Sequence, residues 1–183
     1  MNNPVRYIIL GFGFFLIFVV GTILYNIGFF KDAVIEGTQE VTFNGVYKDY
    51  VGPYHKVLPL FEEVELAVKN LGNSCSKTYG VYLDDPDEVD ADRLRAKIGC
   101  IVETEVKDLP EGLKFETVGP APFLKLSFDG SPAAGPLKVY PKADQWILNQ
   151  GLPKYEFVLE IYISGPNDEY VTEYYFPVTR KAE

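Results

Sequence analysis

The tetrapeptide Lys56-Val57-Leu58-Pro59 returns almost unchanged as Lys138-Val139-Tyr140-Pro141, 82 residues further along the chain. Each copy stands near the start of a segment in which apolar residues recur at three- and four-residue spacing, a pattern that predicts an amphipathic helix. The first helix is expected from Pro53 to a closing Gly72, and the second over residues 136–150 before a closing Gly151. The matching segments indicate that one structural unit occurs twice.

Runs rich in β-branched and aromatic residues surround each predicted helix in the same order. In the first half a strand is expected over residues 40–50, followed after the helix by strands over 77–83 and 95–103. In the second half the strands are expected over 123–128, 155–164 and 170–179, with a turn at 165–168 joining the last two. The sequence therefore predicts an α+β fold, built from a duplicated strand-helix-strand-strand unit with a cleft between the repeats.

An uncharged apolar run, Tyr7–Phe30, precedes this domain. Its 24 residues would form about 36 Å of helix, which exceeds the roughly 20 residues that a bilayer core requires. A buried core helix is disfavoured because the run is apolar all round, and a cleaved signal because residues 26–30 offer no small-x-small site. We predict a single-pass N-terminal transmembrane anchor over 7–30, a linker over 31–39 and one domain over 40–180.

The charge of the chain restricts the classes of partner and gives little information about the side of the membrane on which the domain lies. The formal net charge of -9 disfavours nucleic acid, since binding to a phosphate backbone needs clustered cationic side chains. Arg6 and Lys31 flank the apolar run, a balance that weakly places the N-terminus in the cytoplasm and the domain in a periplasm or lumen. The sequence leaves the side of the membrane open.

Cys75 and Cys100 are the two cysteines of the chain. If the strands around the acidic turn pair with each other, Cys75 lies about three residues out of step with Cys100, roughly 10 Å. That distance exceeds the reach of a disulfide. Both are therefore predicted to be free thiols.

Five short motifs follow one another along the domain: Gly52-Pro53-Tyr54, residues 80–86, Gly99-Cys100-Ile101-Val102, residues 138–141 and Glu160-Ile161-Tyr162. Together they resemble the GyrI-like domain, the effector-binding module of AraC- and BmrR-type transcription regulators, over residues 41–178. The resemblance implies a SOUL-like α+β fold and the capture of a small ligand. No helix-turn-helix segment precedes the domain, so DNA binding is not expected.

One apolar span followed directly by this domain is similar to the testis-expressed ER-phagy receptors of animals and their prokaryotic relatives. The shared features are residues 82–86, the strand around Gly99, and Gly119-Pro120-Ala121-Pro122. Those receptors keep the domain in the cytosol, against the charge balance here, and continue into a long acidic, serine-rich tail. This chain stops at Glu183, so receptor function is not expected.

Strand alternation in the second half defines the candidate ligand site. Glu160 and Tyr162 are expected opposite the apolar face of their strand, and Glu173 and Tyr175 opposite the apolar face of the next. Both glutamates would then point into the cleft, together with Tyr82. A carboxylate beside aromatic faces suits an organic cation. GyrI-like domains are known for a pocket glutamate, for which Glu173 is the first candidate and Glu160 the second.

Three functions stay open, and both glutamates could instead be solvated strand residues. The first function is a binding module for a hydrophobic ligand, including an organic cation, and the second is a membrane scaffold whose acidic surface recruits a protein partner. The third is a hydrolase of reactive small molecules, which the resemblance implies for a pocket glutamate such as Glu173 with Tyr82 or Tyr162. No nucleophile, phosphate-loop or metal-ligand motif is present, and the acidic residues 84–92 lack calcium-loop spacing. No metal or cofactor is expected.

Overall fold

The structure, a computed structural model, describes residues 4–165 and 170–178. Its elements are α1 (Pro4–Asn26), β1 (Val34–Val51), α2 (Leu58–Asn70), β2 (Lys77–Tyr82), β3 (Arg95–Val102), β4 (Leu113–Asp129), α3 (Gly135–Asn149), β5 (Val158–Ser164) and β6 (Tyr170–Pro177). After α1 the order strand-helix-strand-strand occurs twice, which confirms the predicted fold class. Most of the predicted turn at 165–168, and Thr179 at the predicted end of the last strand, lie outside the described residues.

The six strands form a closed antiparallel barrel in the order β1-β3-β2-β5-β6-β4. Alternate side chains point inward, and their apolar members fill the barrel: Val41, Tyr47, Tyr79, Val81, Phe123, Leu159, Ile161 and Tyr175. The helices pack outside, α2 on β1 and β3 and α3 on β4 and β6. The sheet faces opposite the helices thus meet in a filled core, and the predicted cleft does not lie between them.

The strand pairing matches the spacing of 82 residues between the two tetrapeptides. Between β2 and β5, Thr78 pairs with Tyr162 and Gly80 with Glu160. A shift of 82 residues turns Thr78 into Glu160 and Gly80 into Tyr162, so the two pairs exchange places. The pairs Gln39–Phe123 and Val41–Ala121 between β1 and β4 exchange in the same way. The strand pairing of the two halves therefore has a pseudo-twofold arrangement, and the internal repeat of the sequence stays a prediction.

Two strands are longer than predicted. Residues 34–39, predicted to belong to a linker, instead form the start of β1 and pair with β4. A β-bulge between Ile35 and Gly37 interrupts the alternation of inward and outward side chains there. The sequence of these residues therefore lacks the period-two pattern that predicts a strand. Likewise β4 begins at Leu113 rather than Phe123. The sequence did not predict its first part because that part contains Pro120 and Pro122, which lie where β4 pairs with β1 alone. Proline is tolerated at such an edge, since no ladder hydrogen bond is lost on the open side.

The prediction of free thiols is wrong, because Cys75 and Cys100 form a disulfide with their Cα atoms 5.3 Å apart. The predicted register is correct, since Cys100 pairs with Thr78, three residues beyond Cys75. The distance was wrong because it assumed an extended chain. The strand begins only at Lys77, and the preceding residues bend back over β3, where the Ser76 amide donates to the Ile101 carbonyl at 3.0 Å.

Helix α1 is 23 residues long. By length and composition, its segment Arg6–Asn26 could cross a membrane. The helix ends four residues before the uncharged run does, and Gly28 in the following turn has a φ of 75°. That turn packs on the domain, because the Ser131 amide donates to the Ile27 carbonyl at 3.1 Å and Lys31 forms an ion pair with Asp129 at 3.0 Å. The end of α1 is therefore held against the chain between β4 and α3.

Candidate functional site

A cavity of about 1490 Å³ lies between α2 and α3, over the central β2–β5 pair. Its floor comes from the outward-facing residues of these strands, and its walls come from the first turns of both helices. The loop that follows β2 and the end of α1 complete the rim. Drug-sized ligands usually occupy cavities of about 300–1,000 Å³, so the space is ample for a small molecule.

Glu160 lies on the floor of this cavity, with 4% of its surface exposed. Its neighbours Leu159 and Ile161 point into the barrel core, which leaves Glu160 on the helix-bearing face. Its carboxylate accepts hydrogen bonds from the hydroxyls of Tyr140 at 2.9 Å and Tyr162 at 2.8 Å. Two half-buried phenols from different elements therefore hold one buried carboxylate.

Tyr82 extends this hydrogen-bonded chain from the second half of the domain into the first. Its hydroxyl lies 2.7 Å from that of Tyr162, on the neighbouring strand. Aromatic contacts fix both rings, since Tyr54 packs edge-on against Tyr82 at 4.8 Å and Phe61 against Tyr162 at 5.1 Å. The carboxylate thus sits in a wall of aromatic rings supplied by both halves of the domain.

Burial dominates the electrostatics of the site. It raises the pKa of Glu160 to about 7, against the opposing effect of the hydrogen bonds from Tyr162 and Tyr140. Burial and the nearby carboxylate raise the pKa of Tyr140 and Tyr162 well above the ordinary value, so both remain neutral donors. Among the described residues, no Lys or Arg forms an ion pair with Glu160.

Tyr54 joins the start of α2 to the end of β2. Its hydroxyl accepts from the Asp84 amide at 3.1 Å and lies 2.9 Å from the carbonyls of both Asp84 and Arg95. The Asp84 carboxylate in turn pairs with the Arg95 side chain at 2.7 Å. These contacts close the base of the β2–β3 hairpin and fix the Tyr54 ring beside Tyr82.

The rim of the cavity is predominantly acidic. Two amines, Lys31 and Lys154, line it together with seven carboxylates: Asp84, Asp85, Asp87, Glu88, Asp129, Asp144 and Glu156. Lys154 pairs with Asp85 at 2.7 Å and Glu88 at 3.4 Å, and Lys31 pairs with Asp129. The excess of carboxylates gives the mouth a negative potential, which attracts cations.

The structure brings together three of the five predicted ligand residues, Tyr82, Glu160 and Tyr162. It places Glu173 and Tyr175 elsewhere, so the expectation that all five share one cleft is wrong. Glu173 lies on the inner face of the barrel wall, where it pairs with Lys125 at 2.6 Å and accepts from the Tyr175 hydroxyl at 3.0 Å.

Glu173 was placed in the same cleft as Glu160 because these strands are buried on both faces. Register pairs Glu160 with Tyr174 and Ile161 with Glu173, so the two glutamates lie on opposite faces of adjacent strands. Both faces of these strands are apolar, one inside the barrel and one beneath α3. Alternation within a strand therefore could not tell which face lines the cavity.

Tyr140 is the site residue that the sequence prediction missed. It belongs to the repeated tetrapeptide, where its counterpart in the first half is Leu58. Leu58 also lines the cavity, so matching positions of the two tetrapeptides face the same space. The recurring tetrapeptide was the signal that could have identified Tyr140.

A comparison with protein-family models identifies the family of the domain. A family model described as a GyrI-like small molecule binding domain matches residues 41–179. No curated protein matches the chain.

Solved structures with the same fold share little sequence with the chain. The EcmrR C-terminal domain superposes with a TM-score of 0.63 at 19% identity, over 81% of this chain and 98% of that one. EcmrR in its DNA complex superposes with a TM-score of 0.66 at 16% identity, over 97% of this chain and 69% of that one. SAV2435 bound to tetraphenylphosphonium superposes with a TM-score of 0.51 at 12% identity, over 78% of this chain and 92% of that one.

Proposed function

This chain belongs to the GyrI-like small-molecule-binding domain family, and from that premise we propose that it is a membrane-anchored protein that binds a hydrophobic organic cation in the Glu160 cavity. The observation that carries the proposal is a buried carboxylate that has tyrosine hydroxyls, and no cationic side chain, as its partners. An ionised carboxylate in such a place is unfavourable unless a positive charge joins it. A ligand cation would supply that charge.

The surroundings of Glu160 favour an organic cation over a metal ion. The rings of Tyr54, Tyr82 and Tyr162 and of Phe61 present aromatic surface to the cavity, which attracts cations through the ring quadrupole. Within the described ranges no cluster of carboxylate, histidine or cysteine side chains is arranged to hold a metal. The neighbour SAV2435 has been solved with tetraphenylphosphonium, a hydrophobic cation.

Anchoring by α1 is part of this proposal. The helix carries no charged side chain after Arg6, and the exposed surface of its apolar residues would be buried by lipid rather than by the domain. Expression of the full chain, followed by carbonate extraction of membranes, tests the point. An anchored chain stays with the membranes at its full mass, whereas a cleaved signal releases a shorter soluble domain.

Binding of tetraphenylphosphonium to the full chain in mild detergent tests the ligand site. We expect Glu160→Gln to weaken binding at pH 8 at least tenfold, because the variant keeps the shape of the cavity and loses the charge. Glu173→Gln is the matched control, since it removes a carboxylate from the neighbouring strand outside the cavity, and it should bind normally. Equal loss in both variants, or in neither, would contradict the assignment of Glu160.

The same binding should depend on pH. Because the pKa of Glu160 is raised to about 7, the ionised fraction of the free protein grows about tenfold between pH 6 and pH 8. Affinity for tetraphenylphosphonium should rise by a similar factor over this range, as measured by isothermal titration calorimetry. In Glu160→Gln the affinity should be low and nearly independent of pH.

Hydrolysis of a reactive small molecule is a second candidate, favoured by the chain of hydrogen bonds Tyr82–Tyr162–Glu160. A carboxylate with a pKa of about 7 suits a general base at neutral pH. The neighbouring phenols would donate to the developing oxyanion. Turnover of p-nitrophenyl acetate that disappears in Glu160→Gln and persists in Glu173→Gln would support this activity, and no turnover above background would exclude it for this ester.

A further inference from the structure

The wall of the Glu160 cavity includes the end of the apolar helix. Asn26, the last residue of α1, and Ile27 and Lys31 from the turn after it line the cavity together with residues of the domain. The exit point of α1 and the binding space therefore share a surface.

Several contacts fix this arrangement. The Ile27 carbonyl accepts from the Ser131 amide at 3.1 Å, and Lys31 pairs with Asp129 at 3.0 Å. Further along, the Lys142 ammonium donates to the Ala33 carbonyl at 2.6 Å, which ties the chain after α1 to α3. The helix end is held at the cavity on two sides, by the β4–α3 connection and by α3.

The mouth of the cavity carries exposed leucines. Leu58 in the first turn of α2 is 69% exposed and Leu137 in the first turn of α3 is 70% exposed, and both line the cavity. The first turn of α3 lies beside the end of α1, since the Lys138 ammonium sits 4.9 Å above the ring of Phe29. Phe30 adds a further exposed ring at this place. Exposed apolar side chains thus form one part of an otherwise acidic rim, next to a helix that is long enough to enter a bilayer.

We propose that the cavity opens onto the membrane surface and takes cationic amphiphiles directly from the bilayer, with the charged head at Glu160 and the apolar tail leaving past Leu58 and Leu137. The inference rests on the proposed function, that is, on anchoring by α1 and on cation binding at Glu160. Its additional content is the class of ligand, an amphiphile dissolved in lipid, and the route by which it enters.

Photo-crosslinking of the full chain in phosphatidylcholine vesicles tests the position of the mouth. With p-benzoylphenylalanine at position 137, we expect lipid adducts at least fivefold above those from position 148. Leu148 is the matched control, because it is 76% exposed but belongs to the last turn of the same helix. Positions 58 and 66 form the equivalent pair on α2, with Leu66 60% exposed. Equal labelling at both ends of each helix, or none at 137 and 58, would overturn the proposal.

A second probe tests entry into the cavity. A two-chain trimethylammonium lipid with a diazirine beside its headgroup has negligible solubility in water, so it can reach the cavity only from the bilayer. We expect it to label peptides containing Tyr140 or Tyr162 in the full chain, and to label them at least fivefold less in Glu160→Gln. Labelling confined to α1 and the rim would overturn entry from the membrane.

Equilibrium binding of tetraphenylphosphonium in detergent separates the two levels of the argument. If that cation binds in a Glu160-dependent manner while the two-chain lipid fails to reach the cavity, the proposed function stands and entry from the membrane is wrong. If the cation does not bind at all, the proposed function itself is contradicted, whatever the crosslinking at the mouth shows.

Discussion

At the scale of single residues, Glu160 differs from the other carboxylates of the domain in its partners. Glu173, on the adjacent strand, pairs with Lys125 at 2.6 Å, whereas Glu160 is held by tyrosine hydroxyls alone. Burial raises the pKa of Glu160 to about 7, so the ionised state is unfavourable in the folded protein without a ligand. Ionised Glu160 therefore lowers the stability of the folded protein when no ligand is bound.

The pH dependence of the free energy of unfolding should reveal the cost of ionising Glu160 in the folded protein. In the unfolded chain Glu160 loses its proton near its ordinary pKa of 4.5, and in the folded protein near 7. Between these values the folded state binds more protons, so its stability falls as pH rises and the penalty is complete above pH 7. Glu160→Gln should remove that decline and gain about 3 kcal/mol relative to wild type between pH 4.5 and pH 7.5.

Thermal unfolding followed by circular dichroism in mild detergent measures this difference. Glu156→Gln, at the exposed rim, is the control, and it should follow the wild-type curve. A parallel pH profile for wild type and Glu160→Gln would contradict the raised pKa.

Gly45 illustrates how small residues shape the barrel core. A Cβ atom at this position would overlap the hydroxyl of Tyr79 and lie 2.8 Å from its Cζ atom, and the Tyr79 ring is fully buried. Gly45→Ala should therefore destabilise the domain by about 1 to 3 kcal/mol. Because the three nearest atoms all belong to Tyr79, most of this loss should vanish in a Tyr79→Leu background, as a double-mutant cycle would measure. Additive effects would contradict the packing described.

The sequence predicted the site only in part, for reasons visible at this scale. Glu160, Tyr82 and Tyr162 were predicted correctly as neighbours, because each points outward from a strand of the central pair. Glu173 was misplaced because both faces of its strand are buried, with Tyr174 and Phe176 beneath α3 and Tyr175 inside the barrel. Tyr140 was missed because a tyrosine on an amphipathic helix usually packs in the core.

At the scale of elements, the order of strands and helices was readable from the sequence, and the ends of β1 and β4 were not. Helix spacing around the two Lys-Val-x-Pro copies and the closing glycines was sufficient to predict α2 and α3. The bulge near Gly37 and the prolines at 120 and 122 argue against strands in the sequence, since they interrupt the patterns by which strands are predicted. Closure of the six strands into a barrel depends on pairing between halves, which no local pattern records.

The disulfide joins the chain before β2 to the middle of β3 and should contribute measurably to stability. It closes a loop with a sequence separation of 25 residues, for which chain entropy predicts about 3 kcal/mol. Cys75→Ser should lower the melting temperature, and dithiothreitol should lower that of wild type to a similar value. Reductant should leave the variant unchanged. Equal melting temperatures for oxidised and reduced wild type would contradict a stabilising bond.

At the scale of the whole molecule, α1 and the barrel behave as one unit rather than as a tether and a free domain. Only Ile27–Ala33 separate α1 from β1, and four of these residues contact β4, the following connection or α3. These contacts hold the end of α1 beside the Glu160 cavity.

Topology in the membrane can be measured on this unit. We expect Asp87→Cys, in a background with both native cysteines replaced by serine, to react with an impermeant maleimide in intact bacterial cells. Asn3→Cys should react only after the inner membrane is permeabilised. The reverse pattern would place the domain in the cytosol.

The Cys75–Cys100 bond bears on that topology through the chemistry of cellular compartments. Glutathione and thioredoxin keep cytosolic thiols reduced, whereas extracytoplasmic spaces allow structural disulfides to persist. A bond built into the hairpin therefore favours an N-terminus inside and a barrel outside, the same sense as the balance of Arg6 and Lys31. Under the proposed anchoring, with the cavity mouth beside the end of α1, this orientation would place the mouth at the leaflet that faces away from the cytosol.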